Sequence, residues 1–186
     1  MEISPNDIFT NSKFIIMKRL VNAFLISAVL MALSLSVQAQ VSATASASAT
    51  IVTPIAIANN TDMDFGNVAV SATPGTVVLD PAGARSVTGG VTLPAITATV
   101  TAASFNVTGT ASFTYSITLP VAATTISSGG NDMTVDTWTS TPTPSGTLDG
   151  TGAQTLSVGA TLNVAAGQAS GTYISGTPFT VTVNYN

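Results

Sequence analysis

Apolar and hydroxyl side chains alternate one by one along several stretches of this 186-residue chain. In residues 41–51, Ala, Val and Ile alternate with Ser and Thr without an error, and residues 112–119 repeat the pattern with larger apolar side chains. Successive side chains of a β-strand point to opposite faces, so this period of two is typical of strands with one buried and one solvated face. The pattern therefore predicts an all-β protein.

Turn-forming residues separate the alternating stretches at short intervals. Gly89-Gly90, Pro120, Gly129-Gly130 and Gly159 each lie between apolar alternations, and the longest loop is expected over residues 141–152. Regularly spaced short strands with turn signals between them predict an immunoglobulin-like antiparallel β-sandwich of about eight to nine strands.

The N-terminal region predicts a helical signal peptide ahead of the sandwich. Lys18 and Arg19 precede an apolar run over residues 20–37, and small residues end at Ala39. We interpret residues 1–16 as an over-extended start, residues 17–39 as the signal peptide and residues 40–186 as a single β-sandwich domain. The alternative is a transmembrane anchor, since the run is near the lower length limit for spanning. Cleavage predicts export through the inner membrane, to the periplasm, the cell surface or the medium, with no membrane insertion afterwards.

The charge and composition of residues 40–186 exclude several functions. One Arg stands against six Asp, which gives a net charge of −5 over 147 residues. Such a chain cannot neutralise nucleic-acid phosphates or anionic lipid surfaces. The whole sequence has no His and no Cys, so the commonest general base, metal ligand and nucleophile are missing. We therefore expect no enzymatic activity, no cofactor and no metal site.

The two ends of the predicted domain carry the candidate functional residues. Each end alternates cleanly, and an unpaired strand of this kind is prone to pair with another chain. One interpretation is that such a strand is added to the sheet of a second copy or of a related surface subunit. The other is that residues 41–51 form the first strand of the same sandwich. The assembly-strand candidates are the apolar members: Val41, Ala43, Ala45, Ala47, Ala49, Ile51, Phe179, Val181, Val183 and Tyr185.

The C-terminal end resembles the last strand of chaperone–usher pilin subunits. Phe179, Val181 and Val183 alternate up to a penultimate Tyr185. In pilins that strand is read by a periplasmic chaperone, so the resemblance implies a chaperone as a partner. The disulfide that is common in pilins is absent here, because the chain has no Cys.

A second resemblance covers most of the chain, from Ala43 to the end. Its segments look like a secreted bacterial family called domain of unknown function four-four-zero-two, and they comprise residues 49–55, 64–68, 89–94, 115–120 and 181–185. The resemblance implies secretion and a pilin-like sandwich, and it supplies no catalytic residue.

These observations together predict a non-catalytic secreted structural protein. We expect a cell-surface or fimbria-like subunit that assembles through its terminal β-strands. The alternative is a monomeric extracellular module that binds a carbohydrate or another surface ligand. A sugar site would need exposed aromatic rings, and Trp138 and Tyr173 are the candidates for this role.

Overall fold

The computed structural model describes residues 16–28, 40–96 and 98–186. It divides the chain into two units, one ending at Ala49 and the other beginning at Thr50. In the first unit, residues 16–28 form a helix, α1. No helix within the described ranges is long and apolar enough to cross a membrane. The predicted cleavage site after Ala39 lies outside the described residues.

The second unit is built from β-strands joined by short connections. Strands in the described part of the chain number eleven: β1 (Ala56–Thr61), β2 (Ala69–Leu79), β3 (Arg85–Thr92), β4 (Ala103–Thr108), β5 (Thr114–Thr118), β6 (Thr124–Ser128), β7 (Asn131–Thr141), β8 (Ser145–Thr147), β9 (Ala153–Val164), β10 (Ile174–Ser175) and β11 (Thr182–Tyr185).

The strands form two sheets in which every pairing is antiparallel. The larger sheet has eight strands in the order β1-β4-β9-β7-β6-β10, and the β2–β3 hairpin joins it because β2 also pairs with β9. The smaller sheet has the order β11-β5-β8. The predicted all-β, sandwich-like antiparallel fold is confirmed. The strand count exceeds the prediction, and β8 lies inside the stretch expected to be the longest loop.

β9 is the central strand of the larger sheet. Its first half pairs with β4, its second half pairs with β2, and β7 lies along its other side. Leu156, Val158, Ala160, Leu162 and Val164 alternate along it and are all buried. A strand with neighbours on both sides and one fully covered face is expected to carry such a run.

Two hydrophobic clusters lie inside the second unit. The first joins buried residues of the smaller sheet, such as Tyr115 and Val183, to β4 and the first half of β9. The second joins Val77, Val135 and Leu162 on β2, β7 and β9.

A hydrogen bond links the two sheets across the first cluster. The Tyr115 hydroxyl on β5 donates to Gln154 Oε1 on β9 at 2.8 Å. Burial raises the pKa of this hydroxyl, so it stays protonated and keeps its role as a donor.

A β-bulge in β7 changes which side chains of this strand point toward the core. The register with β9 shifts between Asp136 and Thr139, and Thr137 has a positive φ of 51°. An extra residue in one strand of an antiparallel pair turns the following side chains to the other face. As a result Val135 and Trp138 both pack against the second cluster although three positions separate them.

Candidate functional site

The N-terminal candidates belong to no described strand. The first strand begins at Ala56, and residues 41–51 carry no strand. Every residue from 40 to 54 is exposed, with Val41 at 93% and Ile51 at 97% of full exposure. The first-strand interpretation predicts a strand over residues 41–51, and the structure has none there. The alternating apolar face that the sequence contains has no described β-strand partner within the chain.

The C-terminal candidates belong to the core of their own chain. β11 pairs with β5 through Val183↔Ile117 and Tyr185↔Tyr115. Val181 and Val183 are buried, and Phe179 packs against the same cluster. The apolar face of this strand is thus used within the chain.

Tyr185 joins three separate parts of the domain. Its hydroxyl donates to the Thr53 carbonyl oxygen at 2.8 Å and accepts from the Thr110 backbone N–H at 2.6 Å. The Thr53 N–H donates in turn to the Thr110 hydroxyl at 2.9 Å. The Phe113 ring meets the Tyr185 ring edge-on at 5.6 Å. The penultimate tyrosine therefore fixes the point at which the chain begins its first strand.

The smaller sheet retains one open edge beside Tyr185. The Asn186 N–H donates to the Thr114 carbonyl oxygen. The backbone N–H and C=O groups of every second residue, Thr182 and Asn184, therefore point toward β5. The same pattern directs the backbone groups of Val183 and Tyr185 away from β5. No described strand pairs with that side of β11.

The two aromatic candidates for a sugar platform are engaged within the fold. Trp138 packs on Phe179 with ring centroids 4.4 Å apart, and its Nε1 is buried without a hydrogen-bond partner. The Tyr173 hydroxyl accepts from Gln168 Nε2 at 2.9 Å and donates to the Ala169 carbonyl oxygen at 2.7 Å. Both side chains are half-buried.

A shallow cleft lies where β9 ends between β2 and β7. Its volume is about 500 Å³, and Thr76, Asp132, Thr134 and Asn163 contribute polar groups to its lining. The Asn163 amide donates to Thr134 Oγ1 at 3.3 Å and to an Asp136 carboxylate oxygen at 3.0 Å. These groups could bind sugar hydroxyls, but the lining includes no aromatic ring.

The carboxylates of the described residues do not gather into a metal site. No group of three or more acidic ligands is found in the described ranges. Asp149 instead organises the turn before β9: its Oδ1 accepts from the Thr151 hydroxyl at 2.6 Å and from the Thr151 and Ala153 N–H groups. These hydrogen bonds, that of the Thr151 hydroxyl first, lower the pKa of Asp149.

The side chain of Arg85 also has a structural role. Its guanidinium Nη1 donates to the carbonyl oxygens of Phe65 and Asn67, and thereby holds the loop before β2.

Comparison with known proteins identifies the family of this chain. Residues 55–185 match the family model described as Domain of unknown function (DUF4402). The chain belongs to this family. The match begins one residue before β1 and ends at Tyr185, so it coincides with the sandwich and leaves out residues 41–54. No curated protein and no solved structure gives a match.

Proposed function

We propose that this member of the DUF4402 family is an exported, non-catalytic structural subunit that assembles on the cell surface. The observation that carries the proposal is the state of residues 41–51: their side chains alternate as in a strand, but the residues are exposed and belong to no described strand. A sequence that alternates without an error has one face suited to burial, and here that face has no described strand partner. Addition of the segment to the sheet of a second copy would provide one.

The pairing of β11 determines the kind of addition that we propose. β11 already pairs with β5, and its apolar side chains fill the first cluster. The smaller sheet therefore needs no donated strand to cover that cluster, and the donated segment would extend an existing edge. A periplasmic chaperone, if one takes part, would protect the segment or that edge before assembly.

The energetics of the segment agree with addition at an edge. Burial of Val41 or Ile51 would contribute roughly 1.5–3 kcal/mol each, and each Ala methyl only about 0.8 kcal/mol. Backbone hydrogen bonds along the strand would supply much of the affinity, as they do in other cases of strand addition. The affinity of a contact formed by this one strand is then expected to be modest.

Charged substitutions on the two faces of the segment test the proposal. Ala45→Asp with Ala47→Asp places two charges on the apolar face, and Ser46→Asp with Ser48→Asp places the same two charges on the hydroxyl face. We expect the first pair to abolish assembly of the exported protein and the second to leave most of it intact, as measured by sedimentation velocity and electron microscopy. An unmodified protein that stays monomeric at all concentrations, or two variants that behave alike, would refute it.

The second candidate is a monomeric carbohydrate-binding module, and the cleft at the end of β9 is the observation in its favour. Asp132, Thr134 and Asn163 offer the hydrogen-bonding groups that neutral sugars require. A glycan array probed with the monomer tests it, with Asn163→Ala as the variant expected to lose any signal. Binding that Asn163→Ala leaves unchanged would place the ligand elsewhere.

A further inference from the structure

The edge strands of the second unit differ greatly in length. β3 has eight residues and pairs, among the described strands, only with β2, so one of its sides is open. The other edge strands are shorter: β1 has six residues, β11 four, β8 three and β10 two. β8 also follows Pro142 and Pro144, which have no N–H to donate. Among these edge strands, β3 is therefore the longest one beside which the eleven-residue segment 41–51 could pair.

The open side of β3 presents unpaired backbone groups. The Asp80 N–H donates to the Ala84 carbonyl oxygen at the hairpin, which makes Val78↔Ser86 and Thr76↔Thr88 the hydrogen-bonded pairs. The backbone groups of residues 85 and 87 therefore point away from β2.

β3 lacks two of the features that commonly protect an open edge, although its pairing with β2 is irregular near Gly89, which has a positive φ of 66°. Proteins commonly protect such an edge with charged side chains or proline. β3 contains no proline, and the guanidinium of its one charged residue, Arg85, is bound to the carbonyl oxygens of Phe65 and Asn67. The regular part of this edge, residues 85–88, therefore carries no proline and no charged side chain other than Arg85.

The two faces of β3 match those of residues 41–51. Ser86 and Thr88 are exposed on the outer face, where the Thr88 and Thr76 hydroxyls lie 2.7 Å apart. Val87 is half-buried on the inner face and packs against the second cluster. A strand added beside β3 would continue the outer row with its Ser and Thr side chains. Its apolar members would lie next to Val87.

The small size of the donor's side chains also fits this edge. Phe65, Val68 and Leu93 from neighbouring loops already pack against the second cluster, which contains Val77 and Val91 of the hairpin. A donor with bulky side chains would have to displace them, whereas methyl groups would not. A segment made mainly of Ala is therefore suited to an edge whose core is already filled.

From these observations we infer that residues 41–51 of a second copy add to the open edge of β3. This inference rests on the proposed function and specifies the surface to which the strand is added. The contact between the two strands would contain no charged side chain apart from Arg85. Assembly should therefore depend only weakly on the salt concentration.

Disulfide cross-linking tests the inference cleanly because the chain contains no cysteine. In one set of variants, Thr88→Cys is combined in turn with Thr44→Cys, Ser46→Cys or Ser48→Cys. In a matched set, Asn184→Cys on β11 replaces Thr88→Cys. Neighbouring strands bring such Cα atoms within the 4.4–6.8 Å that a disulfide spans. Scanning three positions of the hydroxyl face allows for an unknown register.

We expect covalent ladders from at least one member of the Thr88→Cys set and none from the Asn184→Cys set. Ladders from the Asn184→Cys set alone would overturn the choice of β3 and leave the proposed function standing. Variants that assemble by sedimentation but cross-link in neither set would likewise overturn it. Loss of all assembly, in the unmodified protein as well, would refute the proposed function itself.

Discussion

The Tyr185 hydroxyl donates to the Thr53 carbonyl oxygen at 2.8 Å, and it joins the last strand of the chain to the residues just before the first. The same oxygen accepts from the Thr110 N–H, so the loop after β4 is held at this point as well. The sequence pattern predicts a terminal strand that ends in a tyrosine. In the folded chain this side chain has a structural role, which does not depend on any partner.

We expect Tyr185→Phe to lower the free energy of unfolding of the domain by about 1–3 kcal/mol. The substitution keeps the ring against Phe113 but leaves the partly buried Thr110 N–H without its acceptor. Urea unfolding followed by fluorescence measures the effect. Asn184→Thr is the matched control, because Asn184 is an exposed neighbour in the same strand. Equal stability of Tyr185→Phe and the unmodified domain would mean that water replaces the lost hydroxyl.

Gly109 provides a second test of the same contact. A Cβ at this position would overlap the Tyr185 hydroxyl and touch Leu148, so Gly109→Ala must displace the tyrosine. We expect a loss of about 1–3 kcal/mol, the usual cost of overpacking. Gly176→Ala is the control, since nothing lies within 4 Å of a Cβ there. Thermal unfolding that shifts equally in both variants would contradict the close approach at Gly109.

The alternation of residues 112–119 and 179–185 predicts strands, and the structure has β5 and β11 there. The same alternation in residues 41–51 has no strand. The difference is physical: a period of two specifies which face of a strand is apolar, but a strand also needs a partner edge. Val181, just before β11, and Val183 within it lie in a cluster that contains Tyr115. Most of the apolar side chains in residues 41–51 are single methyl groups, which gain little by burial.

Gly159 shows a second limit of prediction from the sequence. The pattern predicts that it separates two strands, but it lies inside β9. A Cβ there would overlap the Leu79 carbonyl oxygen, so glycine allows the end of β2 to approach closely. The bulge at Thr137 and the open edge of β3 likewise depend on contacts between distant strands. The local pattern does not contain this information.

The stability of the domain should depend on Asp149 at low pH. The folded state lowers the pKa of this carboxyl below its ordinary value of 3.8, chiefly through the Thr151 hydroxyl. A lowered pKa stabilises the fold above the unfolded value, and the contribution is lost as pH falls through the folded value. We therefore expect Thr151→Val to raise the pKa of Asp149, as measured by NMR titration of its carboxyl carbon. Thr155→Val, at an exposed position of β9, should leave that titration unchanged.

The two ends of the domain should respond differently to mutation in the monomer. Val183→Ala removes buried methyl groups from the first cluster, and we expect it to lower the free energy of unfolding by about 2 kcal/mol. Deletion of residues 41–49 removes only exposed residues that belong to no described strand, and we expect a change within about 0.5 kcal/mol. Both are measured by urea unfolding of dilute protein, where assembly does not contribute.

The same pair of variants separates folding from assembly at high concentration. Val183→Ala leaves residues 41–51 and the edge of β3 unchanged, so it should still assemble at temperatures below its own unfolding. The deletion should remain folded and monomeric, and a synthetic peptide of residues 41–51 should bind it and raise its melting temperature. A deletion variant that loses several kcal/mol as a monomer would show that the segment serves its own chain. In that case the exposed alternating face would not be available to a second copy.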